Sequence, residues 1–588
     1  MEKQILKIKR YIDNVLSKEQ AKVCQCQENH FVVYACPGSG KTKTVGTRFA
    51  WRMAHWENRR SGIAVLSFTN VAWLEIARQL QELGLPPRPS WPHFLGTIDS
   101  FVNQFIFLPF GHIVMGCNRR PEIVHNNNIK WVNDVSKSRN LGNCYRKGCS
   151  ATSFRFKADG SLEYCEQRRQ PSCQRDQCHS VKQAMVTRGF AHYSDAMYWG
   201  MKVLKLSHIR EAVTARFSEI IIDEAQDTSE TQVRIIKNLV DAGCKIVLVG
   251  DPDQAIYSFN NARPDLFQEF ATKGGWKQFP LSANFRSSQQ ICDATYPFST
   301  ILTNSPTAKG ADMDFPAKPI ILKYAAGEEI SLVERFRSIL KKYVINTADS
   351  AVLARRHNMV TKLFGLQQRN WPNGVKFLTK SFAKAATYRD LRLHGEAHEI
   401  IMWAFLYLCF GKGSFGHSYE TIHDIGLRAW RRKTWKVLQN LPNSNTNLSE
   451  WGPQVLSVIK PFIDKEGWPC HSNLGRNFTR CNHASALQPV SYFIQSQKHE
   501  NDLLGKVIHQ AKGETYEAVM VVADFGNRNN RSDIDQWLTP QTNEENDERR
   551  VGYVAMTRPR KILVLAVPDT SNLNDLEDCF DIMDNKHS

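Results

Sequence analysis

The sequence has no apolar run long enough to cross a membrane as a helix. Its longest, Ile400 to Phe410, falls well short of the roughly 20 residues that a span requires and reads as a buried helix. The N-terminus lacks the apolar centre of a secretory leader, since MEKQILKIKR is amphipathic and charged. These absences place the chain in the cytoplasm without a membrane partner, and leave most of its 15 cysteines as reduced thiols. A low-complexity tail and a repeat of solenoid length are also missing, which excludes fibrous and repeat architectures. Acidic side chains are in short supply. The 58 Asp+Glu stand against 76 Lys+Arg, giving a net charge of +18 and a pI of about 9.2, a balance that favours a polyanionic partner. At 588 residues the chain holds about three to five domains of ordinary size.

What is present is more specific. Residues 31–42 read FVVYACPGSGKT. A β-type apolar run delivers the chain to a loop of small residues, Ala35, Cys36, Pro37, Gly38, Ser39 and Gly40, followed by Lys41 and Thr42. Backbone N–H groups of such a loop wrap a phosphate, and the helix that follows points its positive end at the same anion. Lys41 is placed to neutralise the β- and γ-phosphates, and Thr42 to offer a hydroxyl to Mg2+. Alone, this motif says only that the chain uses ATP or GTP.

The partner carboxylates lie in EIIIDEAQD, residues 219–227. Three isoleucines form a buried strand with Asp223 and Glu224 at its C-terminal end, where α/β sheets keep their ligand chemistry. Asp223 is expected to hold Mg2+ through a water, and Glu224 to orient or deprotonate the attacking water. The next strand, KIVLVGDPDQ (245–254), also ends in polar residues. Gln254 is placed there to feel the γ-phosphate, with Asp251 supporting the loop.

Further elements follow in a fixed order: LSKEQ (16–20), AVLSFTNVAWLEIARQL (64–80), GTIDSF (96–101), GDPDQAIYSF (250–259), LSANFRSS (281–288), AVLARRHN (351–358), HQAKGETYEAV (509–519) and RRVGYVAMTRPR (549–560). This collinear set resembles the UvrD/Rep group of superfamily 1 helicases. The resemblance implies an α/β fold with two RecA-like P-loop cores, each interrupted by a mostly helical insertion. It implies that Gln20 grips the adenine, that Gly513 joins the nucleotide contacts, and that Arg286 and Arg558 act as arginine fingers when the cleft closes. It also implies that Phe68, Tyr257 and Phe259 stack on bases, while Thr69, Asn70, Thr97, Ser100, Arg355 and His509 touch phosphate or sugar. Three positions depart from the group's usual pattern: Asp99 replaces a frequent histidine, Asn260-Asn261 replaces an arginine–glycine pair, and Thr515 replaces the acid two residues after Gly513.

Spacing suggests the boundaries. Lys41 and Asp223 are farther apart than one nucleotide-binding core needs, as are Arg286 and His509. The expected division is a first core in 1–101 and 206–285 around an insertion at 102–205, then a second core in 286–380 and 501–588 around an insertion at 381–500. The run 435–485, rich in Asn, Ser, Pro and Gly, reads as loop-rich ground. In the first insertion, Cys144, Cys149, Cys173 and Cys178 flank Cys165, with His179 adjacent. Paired cysteines of this kind either chelate a structural Zn2+ or are scattered buried thiols.

Two functions compete. One is an ATP-dependent helicase that moves 3′→5′ along single-stranded or tailed duplex DNA. The other is a DNA-stimulated ATPase that works with a separate nuclease subunit in repair or anti-phage defence. Only 20 residues follow Pro568, so a nuclease is expected on another chain. An ATPase acting on protein or small molecules is disfavoured by the elements at 64–80, 96–101 and 509–519.

Overall fold

The computed structural model describes residues 2–124 except 69, 154–164, 182–256, 269–364 apart from 271, 273 and 274, 371–390, 394–410, 427–468, 470, 473–494, 503–526, 531–571, 573 and 576–583. Two compact units emerge. One comprises Met1–Gly116, Ala196–Gly365 and Asp502–Ser588, the other Cys117–Asp195 and Leu366–Asn501.

The first unit contains two six-stranded sheets, parallel throughout. The strands of the first are β1 (His30–Ala35), β2 (Gly62–Ser67), β3 (Phe94–Thr97), β4 (Phe217–Ile222), β5 (Lys245–Gly250) and β6 (Lys277–Leu281), in the order β6-β1-β5-β4-β2-β3. The second sheet is built from β7 (Ile320–Tyr324), β8 (Ser350–Ala354), β9 (Leu504–Val507), β10 (Tyr516–Val522), β11 (Pro559–Pro568) and β12 (Asp581–Met583), ordered β9-β8-β10-β11-β7-β12. A parallel sheet covered on both faces needs nearly continuous apolar strands. GIAVLS in β2 and SAVLA in β8 meet that need and are buried along their whole length.

One charged residue breaks the pattern in the first sheet. Glu219 of β4 is buried, and it receives Arg48 at 2.9 Å and Arg52 at 2.8 Å. Both arginines lie on α2 (Lys41–Ala54), so the ion trio ties the helix after the phosphate loop to the acid-bearing strand. Removing one partner would leave buried charge unpaired, which costs several kcal/mol.

Residues Ile98–Met115 have a mean hydropathy of 1.2, and theirs is the one described helix long and apolar enough to cross a membrane by length and composition. The helix is irregular, with α turns at Ile98–Val102 and Leu108–Met115 on either side of a π segment at Asn103–Phe107. Its Phe101, Ile106 and Phe107 are buried, and Phe101 and Phe105 pack edge-on against Phe217 of β4. Asn103 and Gln104 interrupt the apolar run, which is why the sequence does not display it as one.

The second unit has its own core. Helices Phe377–Asp390, His394–Phe410, Leu427–Asn440 and Leu448–Glu466 bury Phe382, Phe405, Trp430, Trp451 and Trp468. The run expected to be loop-rich is therefore helical over 19 residues at Leu448–Glu466, although Pro453 and Pro461 lie inside that helix. Each proline removes one N–H from the helical hydrogen bonds, and burial of Trp451, Val455, Ile459 and Ile463 outweighs the loss. In the same unit an antiparallel hairpin pairs Phe154–Phe156 with Leu162–Tyr164. Below it Lys182 and Asp195 form a fully buried ion pair at 2.5 Å, and Asp195 also accepts the Phe156 N–H at 3.1 Å. Cys144, Cys149, Cys165, Cys173, Cys178 and His179 lie outside the described residues.

Candidate active site

The C-terminal ends of β1, β4 and β5 converge on a cavity of about 840 Å³. Its lining includes Gly38, Ser39, Gly40, Lys41 and Thr42 from the loop after β1, Glu224 and Asp227 after β4, and Gln254 after β5. Lys506, His509, Lys512, Glu514 and Arg558 line it from the second sheet and its connections, and Arg286 joins them. An open parallel sheet places ligands at this edge because successive crossovers part there.

Local chemistry shapes the phosphate loop. Gly38 and Gly40 both have φ of +73°, a left-handed conformation that costs glycine little. A Cβ on Gly38 would also fall 2.4 Å from the Asn284 side-chain oxygen, so the loop closes directly onto the segment that carries Arg286. The Ser39 hydroxyl is buried, lines the cavity and has no hydrogen-bond partner. With the amide-rich turn and Lys41 beside it, that hydroxyl suits a phosphate oxygen.

The acids are equally organised. Thr42 donates its hydroxyl to Asp223 at 3.3 Å, a pair of hard oxygen ligands that fits a divalent cation retaining most of its waters. Burial, reinforced by the neighbouring Glu224 carboxylate, pushes Asp223 up to about 7. Burial alone would raise Glu224 too, but Lys41 above all, with Lys512, the Gln226 amide and Arg558, holds it low and ionised. Glu224 has φ of +53°, which among the described residues only one other non-glycine, Val344, shares in kind. A glutamate in that region stores strain that its surroundings must offset. Gln226 does so in part, donating its amide to the Glu224 carboxylate and accepting the Asp251 N–H at 3.1 Å.

From the second sheet, cations reach the first sheet's loops. Arg558 follows α3 (Asn543–Met556), is 1% exposed and donates to the Gln254 side-chain oxygen at 3.1 Å. The other end of that amide donates to Asp251 at 2.6 Å. Lys512 donates to Asp227 at 2.6 Å and to the Gln254 carbonyl at 2.8 Å. Burial pulls Arg558 down to about 9, helped by the nearby Arg286 charge. Arg286 donates to the Thr557 carbonyl at 3.1 Å, so the two arginines converge at the end of α3. Gly513 and Thr515 line the same cavity, and Glu514 beside them is held by Lys506 at 2.7 Å. Ala35, Cys36 and Pro37 lead into the loop, and Cys36 is buried with its thiol 3.7 Å from the Ala283 carbonyl. Gln20 is buried beside the loop, outside the lining residues.

The residues expected on a nucleic-acid path are more scattered. Arg355 is gripped by Glu548 through two bonds of 2.7 Å and lies 3.5 Å from His509. Arg355, Arg356, His357 and His509 line a second cavity of about 470 Å³, so His509 borders both. Burial and the Arg355 charge pull the His509 imidazole below its usual range. Thr97 and Ser100 cap their own helix, with the Ser100 N–H donating to Thr97 at 3.1 Å and the Ser100 hydroxyl to the Thr97 carbonyl at 2.7 Å. Phe68 is half-buried after β2, and Asn70 opens the helix Asn70–Glu82. Thr69, Tyr257 and Phe259 lie outside the described residues. Among those described, no group of three His, Cys, Asp or Glu could hold a metal ion.

Gln226, Asp227, Lys512 and Glu548 were not singled out from the sequence. Gln226 and Asp227 sit in the DEAQD run, so adjacency to the acids was the available signal. Lys512 and Glu548 gain their roles only through partners far away in the chain.

A phosphate-type loop and an acid pair on one sheet, facing cations from a second, form a candidate P-loop nucleotide site. Residues 16–274 match the UvrD/REP helicase N-terminal domain. A probable DNA helicase II homolog of Mycoplasma pneumoniae is 22% identical over 94% of this chain and 84% of its own length. DNA helicase II of Escherichia coli is 24% identical over 57% of this chain, which spans about half (46%) of that relative. An ATP-dependent helicase/nuclease subunit of Carboxydothermus hydrogenoformans is 36% identical over a short segment, 18% of this chain and 9% of the relative. Over these segments the chain is similar to UvrD/Rep helicases. That similarity implies RecA-like α/β folding and the use of ATP and Mg2+.

Proposed function

We propose that the chain is an ATP-driven DNA translocase that moves 3′→5′ on single-stranded DNA and opens tailed duplexes, with the two sheets as RecA-like cores and the second unit formed by their insertions. One observation carries the reading: Arg558 and Lys512, from the second sheet's side, hold the Gln254 loop of the first. A γ-phosphate entering between Lys41 and Gln254 would meet these cations, so nucleotide binding and release would change how the two sheets grip each other. In this reading Lys41 and Thr42 bind the triphosphate and Mg2+, Asp223 completes the metal site, Glu224 activates water, and Arg286 and Arg558 stabilise charge on the transferred phosphoryl group. Thr97, Ser100, Arg355 and His509 would follow the strand, with Phe68, Tyr257 and Phe259 as stacking surfaces.

The matches to proteins named DNA helicase support this reading, and so does the basic balance of the chain. The short likeness to a helicase/nuclease component favours a second reading, in which the same motor serves a nuclease on another chain. Strand displacement on duplexes with a 3′ or a 5′ single-stranded tail tests polarity. The reading expects displacement from the 3′ tail alone; displacement from the 5′ tail alone would reverse it. ATPase activity stimulated by DNA without displacement from either tail favours the nuclease-linked reading.

A further inference from the structure

We propose that Asp253 is a positioning residue for the nucleotide site: with Arg549 it clamps the turn at 297–302 and so fixes how the Gln254 loop meets Arg558. This rests on the triphosphate reading of the cavity. The helix Gln289–Thr295 continues as one tighter turn, Tyr296–Phe298, and the last carbonyls of such a run find no partner within it. Arg549 of α3 supplies one, donating to the carbonyls of Pro297 at 2.7 Å, Phe298 at 3.0 Å and Ser299 at 3.2 Å. A guanidinium suits this end because the C-terminal carbonyls of a helix carry partial negative charge. Phe298 is buried in the same apolar cluster as Val551 and Val554 of α3, so the turn is anchored on the second sheet's side.

The donors that follow are met from the first sheet. Asp253, buried in the turn Pro252–Gln254 after β5, accepts the Thr300 N–H at 2.9 Å and hydroxyl at 2.5 Å on one carboxylate oxygen, and the Ser299 hydroxyl on the other. The Ser299 hydroxyl in turn accepts the N–H groups of Ile301 at 3.1 Å and Leu302 at 2.9 Å. An anion from one sheet and a cation from the other thus hold one turn, and charge-assisted bonds of this kind are about twice as strong as neutral ones. Asp253 also donates its own N–H to Asp251 at 3.1 Å, on the carboxylate that holds the Gln254 amide. The neighbouring link differs in kind. Gln254 and Arg558 meet at 3.1 Å and both line the nucleotide cavity, whereas neither Asp253 nor Arg549 does. A γ-phosphate would draw Gln254 and Arg558 to itself and leave the clamp intact. The clamp is therefore the pivot about which the cleft closes.

Steady-state ATPase at saturating single-stranded DNA, with the affinity of a fluorescent ATP analogue measured alongside, tests this. Asp253→Asn keeps the side-chain volume but removes the charge and one of the two accepting oxygens. The expected result is a kcat lowered about tenfold with analogue affinity within about twofold of wild type. Thr300→Val, which removes one hydroxyl, should lower kcat by about threefold, and Thr300→Ser should keep the wild-type kcat. Arg549→Met should act as Asp253→Asn does, and the double variant should be no slower than the slower single one, because both residues hold the same turn. Should Asp253→Asn fail to fold, Thr300→Val and Arg549→Met must still show a lowered kcat at unchanged analogue affinity. A lower melting temperature with wild-type kcat below the transition would make the clamp purely structural and overturn the proposal, as would losses that multiply in the double variant. A wild-type protein that hydrolyses no ATP would overturn the hydrolase reading and this proposal with it.

Discussion

The two units divide the chain's charge unevenly. The segments of the second unit, 117–195 and 366–501, hold 31 Lys+Arg against 16 Asp+Glu, while the remainder holds 45 against 42. The candidate chemistry lies in the nearly neutral unit, where acids and bases pair across a cleft. The positive excess lies in the unit without nucleotide motifs. Long-range attraction of a polyanion scales with net charge, whereas hydrolysis depends on a few groups held in place. On the proposed function, the difference predicts that affinity for DNA and turnover of ATP respond to changes in different units.

The separation can be broken hardest at the acids. Glu224→Gln should abolish ATP turnover, by about 10³-fold or more on the scale of lost transition-state groups, while ATP binding and the melting temperature persist. Lys41→Ala should lose turnover through weaker nucleotide binding. Steady-state ATPase at saturating single-stranded DNA decides both, and Glu224→Gln keeping more than a tenth of wild-type activity would remove Glu224 from the site.

The cations from the second sheet come next. Arg558→Ala and Arg286→Ala should each lower kcat more than they raise KM for ATP, because a finger contact forms chiefly in the transition state. Lys512→Ala should follow them more weakly, since it leaves Asp227 buried without its counter-ion. A variant with raised KM and unchanged kcat marks a ground-state contact and takes that residue off the catalytic list.

A smaller effect is expected in the basic unit. Arg431, Arg432 and Lys436 are exposed on the helix Leu427–Asn440. Changing all three to Glu should reduce the slope of log affinity for single-stranded DNA against log salt by roughly 1–2, given about 0.7 per phosphate contact. Basal ATPase should stay within about twofold of wild type. An unchanged slope would place the DNA footprint elsewhere and collapse the comparison.

The smallest effect concerns stability within the first unit. Burial pushes Asp533 up to about 6, against 3.8 when exposed, with the Asp524 and Glu548 carboxylates adding to it. Because the folded state binds this proton more tightly, its stabilising contribution is present below about pH 4 and lost as pH rises through 6. Asp533→Asn should therefore nearly match wild type near pH 4 and exceed it near pH 7 by about 2–3 kcal/mol in denaturant unfolding. A constant difference across that range would mean that Asp533 is ionised in the fold.

Much of the cleft could be read in the sequence because its chemistry is local. Lys41 and Thr42 follow a strand within one loop, and Asp223 and Glu224 end another, so each strand's apolar run announces where its polar end lies. Pairings between distant segments were hidden: Lys512 finds Asp227, and Arg355 finds Glu548, only after the second sheet has assembled. Gln20 was legible as a motif position, yet its bond to Ser39 depends on how α1 (Lys18–Gln25) packs beside the loop. The helix Leu448–Glu466 was masked by two prolines and flanking turn residues, because tertiary burial of Trp451 and Ile459 outweighs local propensity. The helix at Ile98–Met115 was masked in the opposite way, by polar residues within a run that burial makes continuous.

The central claim, that strand binding governs a nucleotide site shared by two sheets, is tested most directly by steady-state ATPase activity measured alone, with duplex DNA and with single-stranded DNA. The account predicts low basal turnover, a strong rise with single-stranded DNA and a weaker one with duplex. An ATPase rate indifferent to every nucleic acid added would contradict it.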